Sequence, residues 1–92
     1  MSMKRLHLFI HGHVQGVTFR SFILSQAKLY KLSGWVKNTP EGVVEMVAEG
    51  EEVLLLQLLK AARKGPRWAE VSALEEEWQD VQEKSFSSFE II

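Results

Sequence analysis

Ninety-two residues, 46% of them apolar and 25% charged, suffice for one modest hydrophobic core and are too apolar for a disordered chain. Eleven basic side chains against twelve acidic ones leave a formal charge of −1, so the balance attracts neither nucleic acid nor an anionic membrane. Without cysteine there is no disulfide, thiolate nucleophile or cysteine zinc site, and no apolar run has the length of a membrane span or the layout of a signal peptide. The expectation is a monomeric cytoplasmic protein whose residues 1–92 form a single domain.

Leu6, Leu8 and Ile10 alternate with His7, Phe9 and His11, which predicts a first strand over Leu6–His11. Phe19, Phe22, Ile23, Ala27 and Tyr30 then recur at helical spacing, predicting a helix from Phe19 to Leu32 that Ser33-Gly34 stops. "WVKN" and "VVEMVAE" read as two strands joined by the turn "TPEG". Glu51 and Glu52 open a second helix on the favourable side of its dipole, Lys60, Arg63 and Lys64 close it, and Gly65-Pro66 ends it. "AEVSALEEEW" and "FSSFEII" supply the last two strands. This order is that of an α+β, ferredoxin-like split βαβ: two helices on one face of a mainly antiparallel sheet, with strands one and three central. Glu75 to Glu77 fit a solvated strand edge, and Trp35, Trp68 and Trp78 fit core or rim anchors. That fold hosts many unrelated activities, so function must come from the sites.

Two stretches carry chemistry. In "IHGHVQGVTFR", Ile10 to Arg20, glycines at 12 and 16 let the backbone turn and leave its amides uncovered before a helix whose first N–H groups have no internal partner. Such a loop is an anion nest. Arg20 sits at the wrong end of the helix dipole for a cation, a cost of about 0.3–1 kcal/mol, and is tolerable there if a dianion lies beside its guanidinium fork. Read without that anion, the glycines merely shape a turn and Arg20 is a solvated side chain. The loop lacks the Gly-Lys-Ser/Thr ending of a nucleotide P-loop. Asn38 closes the second strand beside a tight turn, where it either caps the turn or holds a water through its amide.

Together the two stretches resemble the acylphosphatase family. "IHGHVQGVTFR" matches its first signature at each defining position, and "GWVKNTPEGVVEMVAEG", Gly34 to Gly50, matches the second with the spacing from Asn38 to Gly42, Val44 and Gly50. "GPRWAEV" and the terminal "FEI" also fit, so the likeness spans the chain. The resemblance implies metal-independent, cofactor-free hydrolysis of small-molecule acyl phosphates to a carboxylate and inorganic phosphate. It makes Arg20 the phosphate-binding arginine and Asn38 the residue that orients the attacking water. The main chain around His13, Val14, Gln15, Gly16 and Val17 becomes the phosphate cradle. Where many relatives carry arginine after the first glycine, this chain has His13, and its tail stops at "EII".

Rival readings have less behind them. His7 and His11 share a strand face but lie roughly 14 Å apart at about 3.4 Å per residue, too far to chelate one ion with His13. Phe9 invites comparison with RNA-binding sheets, yet their aromatic signature is absent and the charge is negative. The remaining alternative keeps the phosphate cradle for regulatory anion binding, or for carbamoyl phosphate as in acylphosphatase-like domains of larger enzymes.

Overall fold

The computed structural model describes residues 3–92; Met1 and Ser2, which begin the stretch tested for a targeting signal, lie outside them. The elements are β1 (Met3–His13), α1 (Phe19–Leu29), β2 (Ser33–Asn38), β3 (Val44–Glu51), α2 (Glu52–Lys64), β4 (Glu70–Asp80) and β5 (Phe89–Ile91). They form one sheet of order β4-β1-β3-β2-β5, antiparallel except for the β2–β5 pair. Strands one and three are thus central, as the right-handed crossovers of a split βαβ require. Among the described residues no helix is long and apolar enough to cross a membrane.

One sheet face holds the core. Leu6, Leu8 and Ile10 of β1, Val36 of β2 and Val44, Met46 and Ala48 of β3 are buried beneath Phe19, Ile23 and Ala27 of α1 and Leu55, Leu58, Leu59 and Ala62 of α2. Alternation at period two and helical spacing of three and four place these residues there, as read from the sequence.

Helix α1 ends at Leu29, three residues earlier than its periodicity predicts. Lys31 adopts φ 56°, its N–H bonds to Lys28 O (3.1 Å), and Leu32 N–H returns to Ala27 O (2.9 Å). This is a Schellman stop with lysine in the left-handed position. Leu32 is buried because it folds back on the last turn, which is why an apolar spacing runs past the helix; Ser33 and Gly34 belong to β2. Strand β1 runs farther than predicted in both directions: Lys4 and Arg5 find Asp80 and Glu49 across the ladder at one end, and Gly12 and His13 pair with Val71 and Glu70 at the other. Trp68 is no anchor: it is 72% exposed, with the Arg67 guanidinium 5.2 Å from its ring centroid. Glu75–Glu77 do lie on an edge strand, although Glu76 turns toward α2 and Arg63 (3.4 Å).

The helix-free face is polar and is crossed by the segment from β4 to β5. Glu49, on β3, is buried there and holds that segment. Its carboxylate accepts Arg5 Nε (2.7 Å) and the backbone N–H of Ser85 (2.8 Å). Burial pushes the Glu49 carboxyl up, but the Ser85 and Arg5 hydrogen bonds outweigh it and hold the group below the usual range. A depressed carboxylate contributes stability above its unfolded value, about 4.3, and loses it as pH falls through the folded one. Urea denaturation is therefore expected to show stability declining below about pH 4, with a flatter acid limb in Glu49→Gln and a loss of about 1–3 kcal/mol at neutral pH.

Candidate active site

The topology brings two remote segments together. Strands β1 and β2 both run antiparallel to β3, so both end at the same edge of the sheet, on either side of the start of β3. Val44 is the partner of Ile10 on one side and Asn38 on the other. The ends of β1 and β2 are consequently two strand spacings apart, roughly 10 Å. Residues 14–18 and the N-terminus of α1 cover that gap.

The two glycines of the loop do different work. Gly12 lies within β1 at a register shift against β4, where a Cβ would meet the backbone of Glu70 and Ser72. It permits strand packing rather than ligand approach. Gly16 has φ 76° and open space around it, so it is the glycine that bares the main chain. The N-cap of α1, Thr18, is left-handed (φ 60°); its side chain caps no helical amide but bonds to Val17 O, and the first turn carries no acid. Among the described residues no backbone N–H between Val14 and Ser21 donates to another group of the protein. These donors, at the positive end of a helix, await an acceptor.

They surround a recess of about 350 Å³. Val14, Gly16 and Thr18 of the loop, Phe19, Arg20 and Ser21 of the helix, Asn38 of β2 and Ile91 of β5 line it. Arg20 is half-buried and takes part in none of the ion pairs among the described residues. None of the lining groups is a carboxylate or an imidazole, so nothing in the wall repels an anion or resembles a divalent-metal cage.

Asn38 does not cap the adjacent turn. Thr39 does: its N–H and Oγ1 both donate to Val43 O (2.9 and 3.0 Å), and Gly42 N–H returns to Thr39 O (3.1 Å). Asn38 Oδ1 is buried without a hydrogen-bond partner in the protein. A buried acceptor left unpaired costs about 1–3 kcal/mol, and such atoms concentrate where a polar molecule is bound.

Of the residues singled out in the sequence, Val14, Gly16, Arg20 and Asn38 line the recess together. His13 closes β1 opposite Glu70, Val17 packs against the core, and the side chain of Gln15 turns away toward the 39–43 turn; none of these three lines the recess. Thr18, Phe19, Ser21 and Ile91 line it without a sequence signal of their own. The histidines do not converge: His7 meets Glu45 (2.7 Å), and His11 meets Glu75 (2.8 Å). A larger cavity, about 500 Å³, lies on the helix-free face against Arg5, His7 and Trp35. Its arginine is already committed to Glu49, Gln79 and Ser85. Unspent donors, not volume, mark the candidate active site.

Comparison with known proteins identifies the family. The acylphosphatase family profile matches residues 6–91. The acylphosphatase of Moorella thermoacetica is 44% identical over 80 residues, 87% of this chain and 86% of that protein. That of Pelotomaculum thermopropionicum is 42% identical over 91 residues, 99% and 98% of the two chains. The crystal structure of acylphosphatase from Bacillus subtilis superposes with a TM-score of 0.92 at 32% identity, covering 97% of this chain and 98% of that one. With the signatures, the fold and the whole length in accord, the chain belongs to the acylphosphatase family.

Proposed function

We propose that the protein hydrolyses the carboxyl–phosphate anhydride of small-molecule acyl phosphates as a monomeric, cytoplasmic enzyme whose residues 1–92 act as one domain. The observation that carries the reading is the meeting of uncommitted loop amides, Arg20 and the orphaned Asn38 amide at one recess.

The phosphoryl group rests on the main chain of residues 14–18 and the first turn of α1, with the Arg20 fork on two of its oxygens. Asn38 Oδ1 accepts a hydrogen bond from water and aims its oxygen at phosphorus, opposite the acyl oxygen. The water oxygen bonds to phosphorus as the phosphorus–acyl oxygen bond breaks. The electron pair leaves with the carboxylate, and the water proton passes to a phosphoryl oxygen, giving dihydrogen phosphate. A carboxylate whose acid has a pKa of about 4 departs without a general acid. A loose phosphoryl-transfer transition state asks chiefly for alignment and for donors on the equatorial oxygens. The recess supplies both and offers no acid or base, which matches the chemistry.

Incubation with benzoyl phosphate in EDTA is the test. Release of phosphate and benzoate, competitively inhibited by phosphate or sulfate, is the expected result. An intact, folded protein that leaves benzoyl phosphate at its background rate overturns the reading, and activity lost in EDTA overturns its metal-free chemistry.

A further inference from the structure

The proposed reaction needs Asn38 and the phosphate loop held in register, yet they come from strands separated by β3. Among the described residues, a loop side chain hydrogen-bonds across the gap. Gln15, in the loop, donates from Nε2 to Thr39 O (2.9 Å) and to Val43 O (3.0 Å). Both neighbours are carbonyl oxygens, so the amide must present its NH₂ group, and its two hydrogens are both used. The two carbonyls flank the turn that begins directly after Asn38.

We infer that Gln15 is a positioning residue, a staple that sets the distance and angle between the Asn38 amide and the phosphate cradle. The inference rests on the hydrolytic reading above and adds a side-chain role to a residue whose main chain alone the sequence motif explains.

The turn does not need the staple to exist. Val43 O also accepts from Thr39 N–H and Oγ1, and Thr39 O from Gly42 N–H. Removing Gln15 leaves neither carbonyl unpaired, so the turn stays closed while its placement against the loop loosens. Phosphate affinity depends on Arg20 and on main-chain amides of the loop, that of residue 15 included; the staple is a side-chain contact, and a substitution at position 15 keeps those amides in place. Turnover depends on the line from water to phosphorus, where a displacement near 1 Å can cost about 100-fold. Gln15 therefore acts on kcat and spares phosphate binding.

The experiment is a double-mutant cycle on benzoyl phosphate with Gln15→Met, Asn38→Ala and the pair, reading kcat, the phosphate inhibition constant and the thermal midpoint of each. Gln15→Met is expected to lower kcat at least about 10-fold and to move the phosphate constant less than about 3-fold. In the Asn38→Ala background the same change is expected to alter kcat less than about 2-fold, because the group it positions is gone. Losses that multiply in the double variant, or a phosphate constant that worsens in step with kcat, overturn the inference. A second replacement, Gln15→Ala, guards against a packing effect of methionine. Should both variants lose cooperative unfolding, Gln15 is a folding element and the inference also falls. A wild-type protein that does not turn over benzoyl phosphate defeats the hydrolytic reading itself, an outcome distinct from all of these.

Discussion

Arg20→Ala is expected to lower kcat/KM on benzoyl phosphate by about 10³-fold or more and to raise the phosphate inhibition constant. A single preorganised donor to a developing oxyanion is worth about 10²–10³ in rate, and a guanidinium on a transferring phosphoryl group about 10³–10⁵. Arg20 lies in the second position of α1, beside amides that no protein group engages, so it works in concert with the helix end. Stability should respond in the opposite sense. With no acid in the first turn and no ion pair for Arg20, its charge opposes the dipole, and alanine is expected to leave the thermal midpoint unchanged or slightly raised. Arg20→Lys keeps the charge but not the planar fork, and is expected to recover only a small part of the rate. A variant with wild-type activity, followed by phosphate release, would remove Arg20 from the site.

That opposed behaviour explains why the site was legible at all. Sequence patterns report local consistency, and the places where they break are candidates for function: a cation at a helix start and glycines before it. The sheet face was readable because Leu6, Leu8 and Ile10 obey a period of two and are all buried. What escaped had no local signature. Leu32 continues the spacing of α1 although the helix stops at Leu29, since a Schellman return buries an apolar residue past the end. Gly12 looked like a second ligand-facing glycine, whereas close approach of β4 accounts for it. Ile91 and the Gln15 staple depend on which strands become neighbours, β5 beside β2 and β1 two places from β2, and no short window of sequence contains that. The alternative roles of Asn38 could not be separated by spacing either; the turn being closed by Thr39 removes the cap and leaves the water-holding role to experiment.

Asn38→Ala is expected to reduce kcat by about 10²–10³-fold while phosphate continues to inhibit at nearly its original concentration, because in the proposed mechanism the amide aligns the water and the loop holds the anion. The split between turnover and product affinity distinguishes this variant from Arg20→Ala, which impairs both. Its effect on the fold is also distinctive. Asn38 Oδ1 has no hydrogen-bond partner within the protein, so alanine breaks no internal hydrogen bond of this oxygen. The backbone pairing of residue 38 with Val44 does not involve the side chain and persists. Unfolding in urea should then show Asn38→Ala about as stable as the parent. Asn38→Asp supplies a contrast of nearly equal shape: its carboxylate faces a dianion across the recess and is expected to weaken phosphate binding as well as turnover. If Asn38→Ala instead unfolds early and binds phosphate poorly, the side chain serves the packing of the site, and the water is oriented by some other group.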